Sequence, residues 1–171
     1  ERVIDVIEKM YKKGLLPYII FIGERKGSLK VLLSEEKMAE LKFENKFASL
    51  MNAKYAVGVN SGTDALKLSL KVLNIKPGDE VITAANTFVA TVGAITELGA
   101  KPVFVDCDDT FCMNVDLIEK KITKKTKAII PVHFTGYMTN MIKLNKISKK
   151  YKIPVVEDAC QSILAEINGK K

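Results

Sequence analysis

The chain has 171 residues, 47% of them apolar, and a formal net charge of +7. That length and apolar fraction can bury a real core, which excludes a disordered tail and fits one domain or a large piece of one. The basic balance would suit an acidic ligand, but the lysines fall in short groups such as "KKITKKTK" and "KISKKYK", aromatics make up 7% and tryptophan is absent. Solvated helix faces and ends explain such lysines better than a nucleic-acid surface does.

The first fifty residues and the remainder differ in texture. "ERVIDVIEKMYKKG" predicts a helix stopped by Gly14, and the apolar run "LLPYIIFIG" is far too short to span a membrane. No charged-start signal peptide precedes it, so a cytoplasmic, soluble protein is expected. "GERKGSLK" reads as a loop; it is not a Walker loop, because Ser28 follows Gly27 where a Lys-Ser/Thr pair is needed. "SEEKMAELKFENKFASLMN" predicts a longer helix, with Ser34 as cap and Glu35 and Glu36 well placed against the positive end of the helix dipole.

From Lys54 onward, short apolar runs alternate with helical stretches, the pattern of βαβ units and a mostly parallel sheet. "YAVGV", "EVITA", "PVFVD", "AIIPV" and "IPVVE" read as five strands. In "DALKLSLKVLN" the residues Asp64, Lys67, Lys71 and Asn74 fall at helical spacing and leave a single narrow polar stripe. "FVATVGAITELG" carries no charge before Glu97 and ends at Gly99, a suitable residue just beyond a helix, so this helix is expected to be largely buried. Two more helices are expected around Val115 to Lys121 and Asn140 to Tyr151, both with lysine-rich outer faces.

Three strand ends carry possible chemistry. Ser61, Gly62 and Thr63 open a helix directly after a strand, which suits either a phosphate cradle of free N–H groups or a simple N-cap. Phe88 begins the next helix and suits either the core or the flat face of a ligand. Asp158 ends the fifth strand with Gln161 three residues on, and either caps a helix or presents an acid. In an open α/β sheet the carboxyl ends of the strands share one crevice, so these residues together would face one planar, anionic ligand. His133 also ends a strand and could line the same crevice or be structural. Cys107, Cys112 and Cys160 are odd in number and lack CxxC pairing; even with His133 their spacing matches no closed zinc site, so no metal is expected and buried free cysteines are.

"YAVGVNSGTDALKLSL", "KPGDEVITAANTFVATVGAITELGAKPVFVD", "ITKKTKAIIPVHFTG" and "VVEDACQS", in that order, resemble the DegT/DnrJ/EryC1/StrS family of pyridoxal-phosphate-dependent sugar aminotransferases. The match runs from about Phe43 to the end of the sequence. The resemblance implies an α/β fold, a three-layer α/β/α arrangement on a mainly parallel sheet that forms the large cofactor-binding domain of a fold-type I aminotransferase. It implies that Gly62 and Thr63 contact the cofactor phosphate, that Phe88 stacks on the pyridine ring, that the catalytic Asp158 pairs with the ring nitrogen and keeps it protonated, and that Gln161 sits by the ring hydroxyl. The implied cofactor is pyridoxal 5'-phosphate, the substrates a nucleotide-linked keto-sugar and an amino-acid donor such as glutamate, and the assembly a homodimer without nucleic-acid or membrane partners. The family's Schiff-base lysine lies downstream, after a Gly-rich stretch. Residues 1–171 are therefore expected to hold the N-terminal segment and most of the large domain, without the small C-terminal domain, and to be inactive alone.

Two other readings remain open from the sequence. "VFVDCDDT" has the Asp-x-Asp arrangement of a haloacid-dehalogenase-like phosphatase, with Asp106 as nucleophile, Asp108 as acid/base and Mg²⁺ beside them, but it leaves "NSGTDAL" and "NTFVAT" unexplained. A sugar dehydratase of the same family would differ only at the downstream lysine, where it has a histidine.

Overall fold

The computed structural model describes residues 19–23 and 35–169. The helix expected before Gly14, the loop beyond Gly23 and the cap at Ser34 lie outside those residues. The chain divides into two compact units between Ala65 and Leu66.

In the first unit, strand β1 (Ile19–Gly23) pairs in parallel with β2 (Tyr55–Val59), Ile19 opposite Tyr55 and Gly23 opposite Val59. Helix α1 (Glu35–Leu50) connects them, beginning at the two glutamates foreseen for its first turn. Glu44 reaches back to β2, where its carboxylate accepts the Gly58 N–H at 2.6 Å. Strand β1 was not foreseen. Its β-branched "IIFIG" was read only as too short for a membrane, and a parallel partner thirty-six positions away leaves no local pattern. Helix α2 (Gly62–Val72) starts at this unit's end and continues into the next.

The second unit is built on a three-stranded parallel sheet in the order β4-β3-β5: β3 is Glu80–Ala84, β4 Lys101–Val105 and β5 Thr126–Ile130. Alternation along the strands sends side chains to two cores. Ile82, Val105 and Ile129 join Met113, Ile118, Leu144 and Ile147 on one face, while Val81, Ala128 and Ile130 join Leu66, Leu70, Ala94 and Ile95 on the other. Helix α4 (Met141–Tyr151) covers the first face; α2 and α3 (Val89–Thr96) cover the second. This is the expected three-layer α/β/α arrangement. Each fully buried Leu or Ile contributes on the order of 1.5–3 kcal/mol to folding.

The structure departs from expectation in three places, each for a local reason. "IPVVE" does not form a continuous fifth strand: it joins β5 by two separate parallel bridges, Ile129 to Val155 and Val132 to Asp158. Pro131 faces this segment and accepts the Asp158 N–H through its carbonyl, but it has no N–H to give, so the ladder breaks there. The segment 115–121 is not an α-helix but two single 3-10 turns, Val115–Leu117 and Glu119–Lys121. Val115 and Ile118 are the buried residues, and a spacing of three matches the 3-10 repeat. Asp116 and Glu119 pair with Lys143 and Lys150 of α4, tying these turns to the helix. Finally, α3 is only half buried. Thr91, Ala94 and Ile95 face inward, but Phe88 and Val89 at its start are 70% and 72% exposed.

Candidate active site

Three segments meet beyond the carboxyl ends of the second unit's strands: residues 85–91 after β3, 131–139 after β5, and 157–162 after the bridged segment. Their order follows from the chain reversals that a parallel sheet requires.

Asp158 is 9% exposed. It does not cap a helix, since none follows it among the described residues. Its backbone is fixed on both sides, accepting from His133 N–H at 3.1 Å and donating to the Pro131 carbonyl at 2.9 Å. Its carboxylate accepts the Thr91 hydroxyl at 3.1 Å and the Cys160 N–H at 3.3 Å. Thr91 is fully buried in the first turn of α3, and its N–H is accepted by the Phe88 carbonyl at 3.0 Å, so the residue that holds Asp158 also sits one helical turn from Phe88. Phe88 itself is no core residue. Its ring faces solvent from the N-cap position, where its extended backbone (φ −70°, ψ 146°) provides no side-chain cap.

Gln161 is exposed and its side-chain oxygen accepts the Thr135 N–H at 2.7 Å. Thr135 holds φ 54°, unusual for a β-branched residue, within the turn Phe134–Gly136. His133, 1% exposed, fills a structural position: Nδ1 accepts the Thr139 N–H at 3.2 Å, which leaves the proton on Nε2, 3.0 Å from a Glu157 oxygen. Burial, then the neighbouring Asp158 charge, pushes the Cys160 thiol up to about 11. Of the three cysteines only Cys112 is buried; Cys107 is half-buried and Cys160 exposed, which corrects the expectation that all are core residues. No disulfide or metal-binding cluster occurs among the described residues.

Gly62 and Thr63 belong to the first unit. Ser61 acts as the N-cap of α2: its hydroxyl accepts the Asp64 N–H at 3.1 Å and donates to the Asp64 carboxylate at 2.9 Å. Capping consumes Ser61, while the N–H groups of Gly62 and Thr63 precede any intrahelical partner.

The rival acidic pair is occupied by turn chemistry. Asp106 accepts from Cys107 N–H and Asp108 from Thr110 N–H, each at 2.9 Å, within a loop closed by the Cys107–Met113 bridge. Sequence reasoning misses Thr91 and Thr87, since nothing near them in the chain marks one threonine that contacts an acid 67 residues away and another that bonds the first.

The sequence profile of the DegT/DnrJ/EryC1/StrS aminotransferase family matches residues 32–171. The chain belongs to that family. The UDP-2-acetamido-2-deoxy-3-oxo-D-glucuronate aminotransferase of Pseudomonas aeruginosa is 46% identical over 129 residues, covering 75% of this chain and 36% of that protein. Among solved structures, Streptomyces venezuelae DesV in complex with a ketimine intermediate is 35% identical with a TM-score of 0.73, covering 93% of this chain and 38% of that one. Bacillus subtilis NtdA with bound cofactor PMP is 34% identical with a TM-score of 0.72, covering 93% and 33%. The chain thus spans about a third of the length of the relatives it matches. Family membership excludes the phosphatase reading. No described helix is long and apolar enough to cross a membrane.

The site's residues fit a pyridoxal-type cofactor. An ionised carboxylate has about four acceptor positions, and the Thr91 hydroxyl, the Cys160 N–H and the Cys160 side chain use at most three on Asp158, leaving capacity for a ring N–H. Among the described residues, Ser162 Oγ, next to Gln161, is the buried side-chain polar atom without a partner, as expected of a loop that meets a polar group the chain does not supply.

Proposed function

We propose that this chain is the cofactor-cradling part of an enzyme that moves an amino group from glutamate to a nucleotide-linked keto-sugar with pyridoxal 5'-phosphate. The observation that carries the reading is Asp158: a buried carboxylate held by Cys160 and by Thr91, which itself sits one helical turn from the exposed Phe88, in the family's own motif order. Gly62 and Thr63 take the phosphate with their free N–H groups, Phe88 offers its face to the ring, and Gln161 keeps its amide nitrogen for the ring hydroxyl while Thr135 holds its oxygen. Asp158, acceptor-only while ionised, keeps the ring nitrogen protonated by Coulomb attraction and a charge-assisted hydrogen bond. The cofactor supplies an electron sink for the carbanion that amino transfer requires. The exposed Phe88, Val89, Phe111 and Tyr137 support cover by a second copy, so the reading includes a homodimer.

The test uses the protein that carries this chain, supplied with the cofactor, glutamate and a UDP-linked 3-keto-sugar. The expected products are an amino sugar and 2-oxoglutarate in equal amounts, and D158N lowers kcat by about a hundredfold through loss of a charged hydrogen bond. A deoxygenated sugar without nitrogen, or full activity in D158N, would overturn the reading.

A further inference from the structure

We propose that Thr91 is a positioning residue for Asp158, and that Thr87 and Thr91 form a two-hydroxyl relay that fixes the orientation and charge of that carboxylate. The inference rests on the reading of Asp158 as the partner of the cofactor's ring nitrogen. It adds Thr87 and Thr91 to the residues that the resemblance assigns.

A threonine in a helix ordinarily turns its hydroxyl back to the carbonyl four residues earlier. Thr91 does otherwise. Its Oγ1 lies 2.8 Å from Thr87 Oγ1 and 3.1 Å from Asp158 Oδ2, with the residue wholly out of solvent. An ionised carboxylate only accepts, so both bonds have a fixed direction: Thr87 donates to Thr91, and Thr91 donates to Asp158. Aligned hydroxyls polarise one another in a dry environment, which strengthens the last bond onto the anion. The other carboxylate oxygen accepts the Cys160 N–H at the longer distance of 3.3 Å, and the Cys160 side chain, on an exposed residue, also hydrogen-bonds the carboxylate; Thr91 is the wholly buried donor among those that set the angle of the carboxylate plane. A carboxylate free to rotate would meet the ring nitrogen less often in line.

The experiment compares wild type, T91V, T91S, D158N and T91V/D158N in the full-length protein, reading cofactor affinity by titration of the bound cofactor's visible absorption, and kcat separately. Valine keeps the shape of threonine and loses the donor; serine keeps the donor. T91V is expected to weaken cofactor binding about tenfold and to lower kcat by a similar factor, T91S to stay within about threefold of wild type, and T91V to add less than about twofold in the D158N background. If T91V does not fold, T87V at its half-buried position breaks the outer link and should weaken binding by about threefold. The relay is overturned if T91V and T87V bind cofactor like wild type while D158N does not, if T91S is as poor as T91V, or if the T91V and D158N losses simply add. An unaffected D158N instead removes the cofactor reading of Asp158, and the relay with it.

Discussion

At the amino end of the β4-β3-β5 sheet the turns close on themselves; at the carboxyl end the loop after β4 does so as well, but the segments after β3 and β5 do not. Asp79 accepts the Lys76 N–H at 2.9 Å, Thr123 accepts the Lys125 N–H at 3.0 Å and donates to Glu80 at 2.6 Å, and Thr126 accepts the Thr123 N–H at 2.9 Å. The left-handed positions there are held by Asn74, Gly78, Gly99 and the unbranched Lys152. At the other end, Phe111 and Thr135 occupy left-handed backbone, Asp158 lies buried, Ser162 keeps an unpartnered hydroxyl, and Phe88, Val89 and Tyr137 face water. Bulky residues in left-handed backbone cost on the order of 1–3 kcal/mol each and persist where surrounding structure enforces them. One set of strands thus has an end built for stability and an end that gathers polar groups and strain.

The sharpest probe of this contrast is Cys160. Because burial and Asp158 raise its thiol from 9.0 to about 11, the proton favours the folded chain fully below pH 9, and that contribution is lost as pH climbs through about 11. Cys160 is exposed, so water screens part of this shift, and alkylation by iodoacetamide at pH 8 should be about tenfold slower than that of a free thiol, because only the thiolate reacts. D158N should recover part of the rate; an ordinary rate in the wild type would show that the Asp158 charge does not act on the thiol.

Gly99 tests the opposite end. At φ 72° any side chain is strained, and a Cβ would stand 2.8 Å from Pro77 Cγ. Gly99→Val should lower the unfolding free energy by about 2 kcal/mol, measured by denaturant titration, and leave cofactor affinity unchanged. Loss of affinity would break the division of labour between the two ends.

The smallest expected effect is at Thr135. Thr135→Gly relieves left-handed strain and gives part of the gain back as unfolded-state entropy, so stability should rise by about 0.5 kcal/mol, with the backbone N–H still available to Gln161. A loss of stability would mean that the turn at the carboxyl end is not strained.

How far the sequence speaks depends on the range of the forces involved. Strands β2 and β3 match their apolar runs residue for residue, and α4 begins one residue after Asn140, whose side chain accepts the Lys143 N–H at 3.1 Å, because alternation and capping are local. The family's motif order likewise put Gly62, Thr63, Phe88, Asp158 and Gln161 forward as one set. Tertiary structure alone decided that Phe88 leaves the core, that Asp158 is anchored and caps nothing, and that Gln161 is held through Thr135. It also decided that 115–121 winds as 3-10 turns and that Pro131 interrupts the last ladder. In each case the deciding partner stands far off in sequence, as Thr91 does from Asp158: a hydroxyl's neighbours in the chain say that it can donate, and only the packing of α3 against the sheet says to what.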